Sequence, residues 1–490
     1  MEFIVYPGLV FAAATAYKGY KLLEVPKELH DVPGVSIYGM LMSLISGEPF
    51  DKQFDRLIRP ALRKNRMARV WMRGQWDLII TDAKLGREIL ANSDIFSKAP
   101  VGGDQQLNQL LARKMFGTSN IVSSDDEDWR RHRKVANPAF KKQWQTSLFG
   151  DCMLDLFSNV DNNGTVPINI HDQFQRLTLD ALGKGVFSYD FEALQRGEEN
   201  HYLRLYNDLN KMIFSPIYFM FPMLEKWVPS RQKGHEMKDE FRAFLGQLIS
   251  DRKKEIENGS QADDLLSLMI KETLSENSCL SDEEVINDVF VFFLAGHDTT
   301  ANTLTAILYY LSKHQDIQER ARQEVLSIVG NNQEVVCPTI ENTKAMGYIN
   351  CIIKESMRIV TTASQLRRYC RENYPLGDGT VAPKGCSVII HSWAIHHDPE
   401  IYPEPEVYNP DRFIEPHGAQ AQNWMAFGSG SRMCIGLNFS LVEQRVALAM
   451  LLQKYTFTLG PNSASLPTPT ISSSGLTRPV NVDVIFTPRV

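Results

Sequence analysis

The stretch Phe427-Gly428-Ser429-Gly430-Ser431-Arg432-Met433-Cys434-Ile435-Gly436 decides how the rest of the chain is read. It is a glycine-rich loop that ends in one cysteine. An apolar helical pattern follows at once: Leu441, Val442, Val446, Ala447, Leu448, Met450, Leu451 and Leu452. A cysteine just before a helix sits at the positive end of the macrodipole, among backbone N–H groups with no intrahelical acceptor. Both favour thiolate over thiol, and thiolate is the form that binds metal. The glycines let the backbone pass close to a flat group without Cβ collisions. Arg432 offers a guanidinium to an anion beside it.

Two other readings apply to the same loop. A phosphate cradle needs GxxxxGK[ST] or GxGxxG; the third glycine of the latter would fall at Met433, and no lysine follows. A buried, inert cysteine in a turn is the plain alternative, since free cysteine is commonly buried. Cys434 alone does not choose between that and a ligand.

Further blocks lie upstream. Ser281-Asp282-Glu283-Glu284 is a capping box that opens a helix reaching about His314. At 1.5 Å per residue it is roughly 48 Å long, enough to cross the whole protein. Ala295-Gly296-His297-Asp298-Thr299-Thr300 lies midway along it. Glycine weakens a helix there and threonine back-bonding bends it, which predicts a local opening with Asp298 and Thr299 side by side as acid and hydroxyl. Alone, such a stretch is also an ordinary helix irregularity. Glu355 and Arg358 share a face at i,i+3 on an amphipathic helix with Ile349, Ile352 and Ile353. Two other ExxR pairs, Glu127/Arg130 and Glu319/Arg322, read as solvated surface pairs. Asn409-Pro410-Asp411-Arg412-Phe413 adds another arginine before the loop, and Trp129 and Arg133 lie at i,i+4 in a basic segment.

These blocks, in this order, resemble the cytochrome P-450 superfamily from roughly residue 30 to 490. The loop fits FxxGxRxCxG at every fixed position, and residues 295–300 fit [AG]GxxTT with an acid before the threonines. The resemblance implies a mainly α fold with a small β region, and a long central helix over a haem held by the cysteine loop. It implies that Cys434 is the axial ligand of the iron in haem b (iron protoporphyrin IX), with Phe427, Arg432 and Gly436 shaping the seat. Trp129, Arg133 and Arg368 would bond the propionates, with Arg367 the adjacent rival. Asp298 and Thr299 would deliver protons for O–O cleavage. Glu355, Arg358 and Arg412 would form a buried structural triad. Val291, Phe292, Ala295, Thr362 and Ala363, with the 101–121 loop, would face the substrate.

The implied activity is monooxygenation of a lipophilic small molecule by O2. A steroid or sterol fits best, then a terpenoid or fatty acid. The alternative is a haem-thiolate isomerase or dehydratase needing no reductase, against which the intact Asp298-Thr299 pair argues. No flavin or nicotinamide fingerprint follows Cys434. Electrons would therefore come from NADPH through a separate NADPH-cytochrome reductase, with cytochrome b5 as an optional second donor. Arg130, Arg131, Lys134, Lys141 and Lys142 could form a positive patch for an acidic electron-transfer partner.

The 490 residues contain no linker or internal repeat, so residues 25–490 read as one domain. A net charge of −6 gives nothing toward nucleic acid. Seven scattered cysteines point to a reducing compartment. Phe3 to Tyr17 is apolar, shorter than the roughly 20 residues of a square crossing. Lys18, Lys21 and Lys27 follow, so residues 1–24 are expected to anchor the chain in the endoplasmic reticulum membrane with the catalytic domain facing the cytoplasm. Arg69–Arg73 and Trp76–Thr81 predict a hairpin around Gly74, and residues 101–125 a long loop. Residues 212–224, broken by Pro216 and Pro222, read either as core or as a lid on the membrane surface. His391, His396 and His397 fit no standard zinc spacing.

Overall fold

A computed structural model describes residues 23–489, apart from 64, 101–109, 214, 216, 219, 220, 276, 277, 378, 416, 466, 467, 473 and 474. The expected anchor lies almost wholly outside these residues, as do much of the 101–125 loop and the centre of the 212–224 stretch. Among the described residues no helix is long and apolar enough to cross a membrane.

The capping box forms as expected. Ser281 Oγ accepts from the Glu284 N–H at 3.3 Å, and Glu284 Oε2 accepts from the Ser281 N–H at 2.8 Å. The helix it opens runs Asp282–Lys313, with three acids in its first turn and Lys313 in its last, as the macrodipole favours. It is buried along most of its length and forms the axis of the main core. It is also continuous through Gly296, so the predicted opening does not occur. A Cβ at Gly296 would lie 2.5 Å from Leu182 Cδ1. The glycine serves close packing against the helix Ile170–Leu182. Thr299, Thr303 and Thr305 each donate to the carbonyl four residues back, which keeps their hydroxyls satisfied inside the helix.

Among the described residues the β region holds ten short strands: β1 Met67–Met72, β2 Gln75–Ile80, β3 Phe96–Ser97, β4 Ile168–Asn169, β5 Leu366–Cys370, β6 Tyr374–Gly377, β7 Thr380–Ala382, β8 Ser387–Ile390, β9 Tyr455–Leu459 and β10 Asp483–Pro488. The main sheet has the order β1-β2-β8-β5-β3, beside small sheets β4-β10-β9 and β6-β7. The predicted hairpin is β1–β2. Arg73 and Gly74 form its two-residue turn with φ of 55° and 76°, and Met72 pairs with Gln75. Positive φ at both turn residues is what the twist of a tight hairpin demands.

The long loop is partly helical, with Leu111–Phe116 forming a short helix. Beyond the helix His201–Ile213, Pro222 opens a 3₁₀ turn, Pro222–Lys226, before the helix Pro229–Glu257, while Pro216 lies outside the described residues. The three histidines are buried. His391 Nδ1 accepts from the Ala394 N–H, His396 joins Thr361 and the Met425 N–H, and His397 bonds the Trp393 carbonyl. Burial holds His391 down to about 4 and His396 to about 3.

Candidate active site

The Cys434 N–H donates to the Phe427 carbonyl at 3.0 Å and closes the loop. Gly428 and Gly430 hold φ of 75° and 73°, and a Cβ at Gly430 would come 2.7 Å from the Leu90 carbonyl oxygen. The loop can lie against Leu90 only because position 430 is glycine. The helix after it, Leu437–Lys454, starts three residues beyond the cysteine. Cys434 faces a cavity of about 220 Å³, which makes it exposed to that space though protein surrounds it. Burial pushes its thiol up, against the opposing pull of the Gly436 N–H and Arg133. A metal cation in the cavity would add its own pull toward the thiolate.

The same cavity wall carries Lys98, Arg368 and Arg432. Burial brings Arg368 and Arg432 each down to about 10. Burial, then repulsion from Arg368 and Arg432, brings Lys98 down to about 7, with Asp125 opposing. Arg432 Nη2 donates to the Ser124 carbonyl at 2.7 Å and to Asp125 at 3.1 Å, while its Nη1 is buried without a partner. Three cations thus meet one carboxylate around a cysteine, and an orphaned guanidinium N–H remains. The donor set fits a flat, iron-bearing dianion such as haem, with Cys434 on the metal and the cationic wall on the propionates.

Strand geometry separates the two candidate arginines of β5. Successive side chains point to opposite faces. Arg368 meets the cavity; Arg367 turns away to Asp77 and to Ser387 Oγ at 2.6 Å. Lys98 escaped the sequence reading, because a single lysine after a two-residue strand carries no signal. Its location comes from its own N–H and that of Ala99, which donate to the Asp125 carboxylate at 2.8 and 2.7 Å.

Trp129 and Arg133 meet the loop instead of the cavity wall. The Arg432 guanidinium lies 4.1 Å over the Trp129 ring, and Arg133 Nη2 donates to the Met433 carbonyl at 3.1 Å. Their helix, Asp126–Lys141, also turns Arg130, Lys134 and Lys141 into a surface recess behind the cysteine. Arg131 and Lys142 leave the expected patch: Arg131 pairs with Asp128 and with Glu284 at 2.9 Å, and Lys142 with Asp263 at 3.7 Å.

On the other side of the cysteine cavity stands Thr299, with Thr362 and Ala363 nearby. Thr299 also belongs to the wall of a second cavity of about 450 Å³, together with Val291, Leu294, Ala295, Ala112 and Phe116. Two expected residues lie elsewhere. Phe292, one residue round the helix from Val291, packs in the core with its ring 5.5 Å from Phe140. Asp298 is turned from Thr299 by the roughly 100° between successive helical residues. It accepts hydrogen bonds from Tyr206 Oη at 2.6 Å, Asn210 Nδ2 at 2.8 Å and Gln175 Nε2 at 2.9 Å, beside a polar cavity of about 260 Å³ that includes His171 and Arg478. Burial opposes its charge. The adjacent His297 and the hydrogen bonds from Tyr206 and Gln175 outweigh that and hold the carboxyl below its ordinary range.

Glu355, Arg358 and Arg412 meet in the core beneath the loop. Arg358 grips Glu355 with two hydrogen bonds of 2.7 and 2.8 Å, and Arg412 Nε lies 3.4 Å from Glu355 Oε1. The Asn409 N–H donates to that same oxygen at 2.9 Å, and Arg358 Nη1 donates to the His396 carbonyl at 2.8 Å. The group ties the helix Gly347–Ile359 to the segment that leads into the cysteine loop. Loss of one partner leaves buried charge, at a cost of about 3–5 kcal/mol. The rival pairs Glu127/Arg130 and Glu319/Arg322, each 3.3 Å apart, lie far nearer the surface.

A family profile described as Cytochrome P450 matches residues 32–486. Cytochrome P450 3A41 of Mus musculus is 28% identical over 368 residues, which cover 70% of this chain and 72% of the relative. Leukotriene-B4 omega-hydroxylase 3 of Mus musculus is 29% identical over 370 residues, 70% and 69% of the two chains. Cytochrome P450 CYP72A616 of Paris polyphylla is 28% identical over 431 residues, 84% and 80% of the two chains. With the cysteine loop, the cationic wall and the long helix in these positions, the chain belongs to the cytochrome P450 family and is a haem monooxygenase.

Proposed function

We propose that this monooxygenase hydroxylates a lipophilic small molecule with O2 and draws its electrons from a separate NADPH-dependent reductase. The observation that carries the reading is Thr299, which stands in the wall of the cysteine cavity and in that of an apolar cavity beside it. When bound at Cys434, haem supplies the activation of dioxygen and the transfer of one oxygen atom. The remaining tasks fall to the chain. Lys98, Arg368 and Arg432 would hold the propionates, with Trp129 backing Arg432 and Arg133 bracing the loop. Val291, Leu294 and Ala295 exclude water and favour an apolar substrate body. Thr299 Oγ1 spends its proton on the Ala295 carbonyl at 2.8 Å, so its lone pairs can accept from a water or a substrate hydroxyl. Asp298, a carboxylate in the polar cavity across the helix, would relay protons and not store them: it must first take a proton up from that cavity, then turn from its three donors to pass the proton toward Thr299.

The recess formed by Arg130, Lys134 and Lys141 behind the cysteine suits an acidic electron donor, which favours the reductase-dependent reading over an isomerase. The apolar run from Phe3 to Tyr17 and the lysines after it support attachment to the endoplasmic reticulum membrane with this domain in the cytoplasm. A steroid or sterol, a terpenoid and a fatty acid all match the apolar wall. One relative is named for omega-hydroxylation of leukotriene B4.

The test is optical. The purified, reduced protein treated with carbon monoxide should give the red-shifted Soret band of thiolate-bound haem, and Cys434→Ala should lose it. A folded wild-type protein that binds haem without that band refutes the assignment.

A further inference from the structure

Away from the cysteine, two helix starts and a loop meet at one polar cluster. Among the described residues a single group of histidine and carboxylate side chains brings its ligand atoms together: Asp128, His132 and Glu284, all within 4.8 Å of one another. Asp128 and His132 stand at i,i+4 on the helix Asp126–Lys141, and Glu284 in the first turn of the helix Asp282–Lys313. Helix capping accounts for part of this. Glu284 commits Oε2 to the Ser281 N–H and hydroxyl, at 2.8 and 2.9 Å, and turns Oε1 away from its own cap. Capping does not account for His132. Its ring is fully buried, and Nδ1 lies 2.5 Å from Asp288, a carboxylate outside the group that also accepts the Ile121 N–H at 2.7 Å. A proton on Nδ1 leaves Nε2 of the neutral ring as a bare lone pair, 3.8 Å from Glu284 Oε1. A histidine held by a carboxylate through one nitrogen and offering the other is the arrangement of metal-ligating histidines.

Ser119 marks the centre of the group. Its Oγ lies 2.9 Å from His132 Nε2, 3.0 Å from Glu284 Oε1, and 3.0 and 3.2 Å from the two Asp128 oxygens. One hydroxyl proton thus faces four acceptor atoms on three residues and cannot serve them all. Positive charge is short as well. Asp128, Glu284 and Asp288 share one cation, Arg131, whose Nη2 donates to Asp128 and, at 2.9 Å, to Glu284. Acceptors converging on too few protons, with negative charge in excess, make a demand that a divalent cation meets.

We propose that Asp128, His132 and Glu284 bind a divalent transition-metal ion, zinc above all, in exchange for Arg131, with Ser119 or a water in the fourth place. The assignment is independent of the monooxygenase reading. The imidazole favours zinc over magnesium or calcium, which prefer shells of oxygen alone. Zinc bonds of about 2.0–2.2 Å require the three side chains to close by roughly 1 Å. The two carboxylates supply that by rotation, while His132 stays fixed on Asp288. Arg131 can leave because its side chain is 32% exposed and keeps the Cys279 carbonyl through Nη1. Bound metal would pin the helix that carries Trp129 and Arg133 to the start of the long helix.

The full-length, haem-loaded protein, treated with a chelator and then freed of it, is titrated with zinc chloride by isothermal calorimetry. One ion per chain should bind. Zinc-edge X-ray absorption should show nitrogen and oxygen neighbours, one imidazole among them, and no sulfur. Asp128→Asn and His132→Asn should each weaken binding about tenfold or more. Asparagine at position 132 can still donate to Asp288, and Asp128→Asn, at the more exposed ligand, is read alone should His132→Asn fold poorly. Arg131→Gln should tighten binding several-fold because the guanidinium no longer competes, a gain that a purely structural cluster would not show. The absence of saturable zinc binding overturns the proposal. So does a sulfur neighbour in the spectrum, which places the metal on a cysteine. Binding left unchanged by Asp128→Asn, or made no tighter by Arg131→Gln, overturns it as well.

Discussion

Arg367 and Arg368 are adjacent in sequence and opposite in consequence. Arg368 joins the cationic wall around Cys434, whereas Arg367 serves Asp77 and Ser387. Arg368→Gln should speed haem loss to an acceptor protein with little change in unfolding stability. Arg367→Gln should leave haem retention intact and lower stability by about 1–3 kcal/mol, since Asp77 loses a charged donor. Lys98 offers a pH test of the same wall. Its folded ammonium is brought down to about 7, whereas the unfolded chain keeps that proton to roughly 10.4. Between those values the unfolded state binds more protons, so stability rises with pH across the window. Haem-free protein should therefore gain roughly 1–2 kcal/mol from about pH 7 to about pH 9, discounted for the partial exposure of Lys98, and Lys98→Met should lack that gain in denaturant titrations. At this scale spaced motifs led to the cysteine, Arg432 and the Glu355–Arg358 pair, and the family resemblance led to Arg368 with Arg367 left as its rival. Neither could find Lys98, whose proximity to the cavity is made by distant segments.

The long helix shows where local reasoning holds and where it stops. Its start was legible because Ser281 and Glu284 satisfy each other's N–H groups without help from the rest of the fold. Its interior was not. Gly296 predicts an irregularity when judged by propensity, yet the helix passes through it unbroken because Leu182 packs into the space a side chain would fill. Gly296→Val should therefore cost about 1–3 kcal/mol in thermal unfolding through overpacking. The orientation of Asp298 and Phe292 was likewise hidden, since a helix assigns faces only once its neighbours are known. Asp298 is set by Gln175, Tyr206 and Asn210, and Phe292 by Phe140.

Over the whole molecule, the cysteine loop lines one inner cavity, and at Met433 it accepts a hydrogen bond from Arg133, a residue of the basic outer recess. The recess keeps Arg130, Lys134 and Lys141 free of strong buried pairing, while Arg131 is withdrawn into Asp128 and Glu284. Lys134→Glu with Lys141→Glu should raise the reductase KM several-fold, most at low ionic strength, and leave the carbon monoxide spectrum unchanged. The separation of a polar space from two less polar ones among the described residues could not be read from the sequence, because it depends on which of several mixed-sequence helices face each other.

The shared place of Thr299 in two cavity walls has a consequence for selectivity. A guest lying in the apolar space would meet the cysteine side at this residue, so enlarging position 299 should change which of its carbons is attacked before it changes how the porphyrin is held.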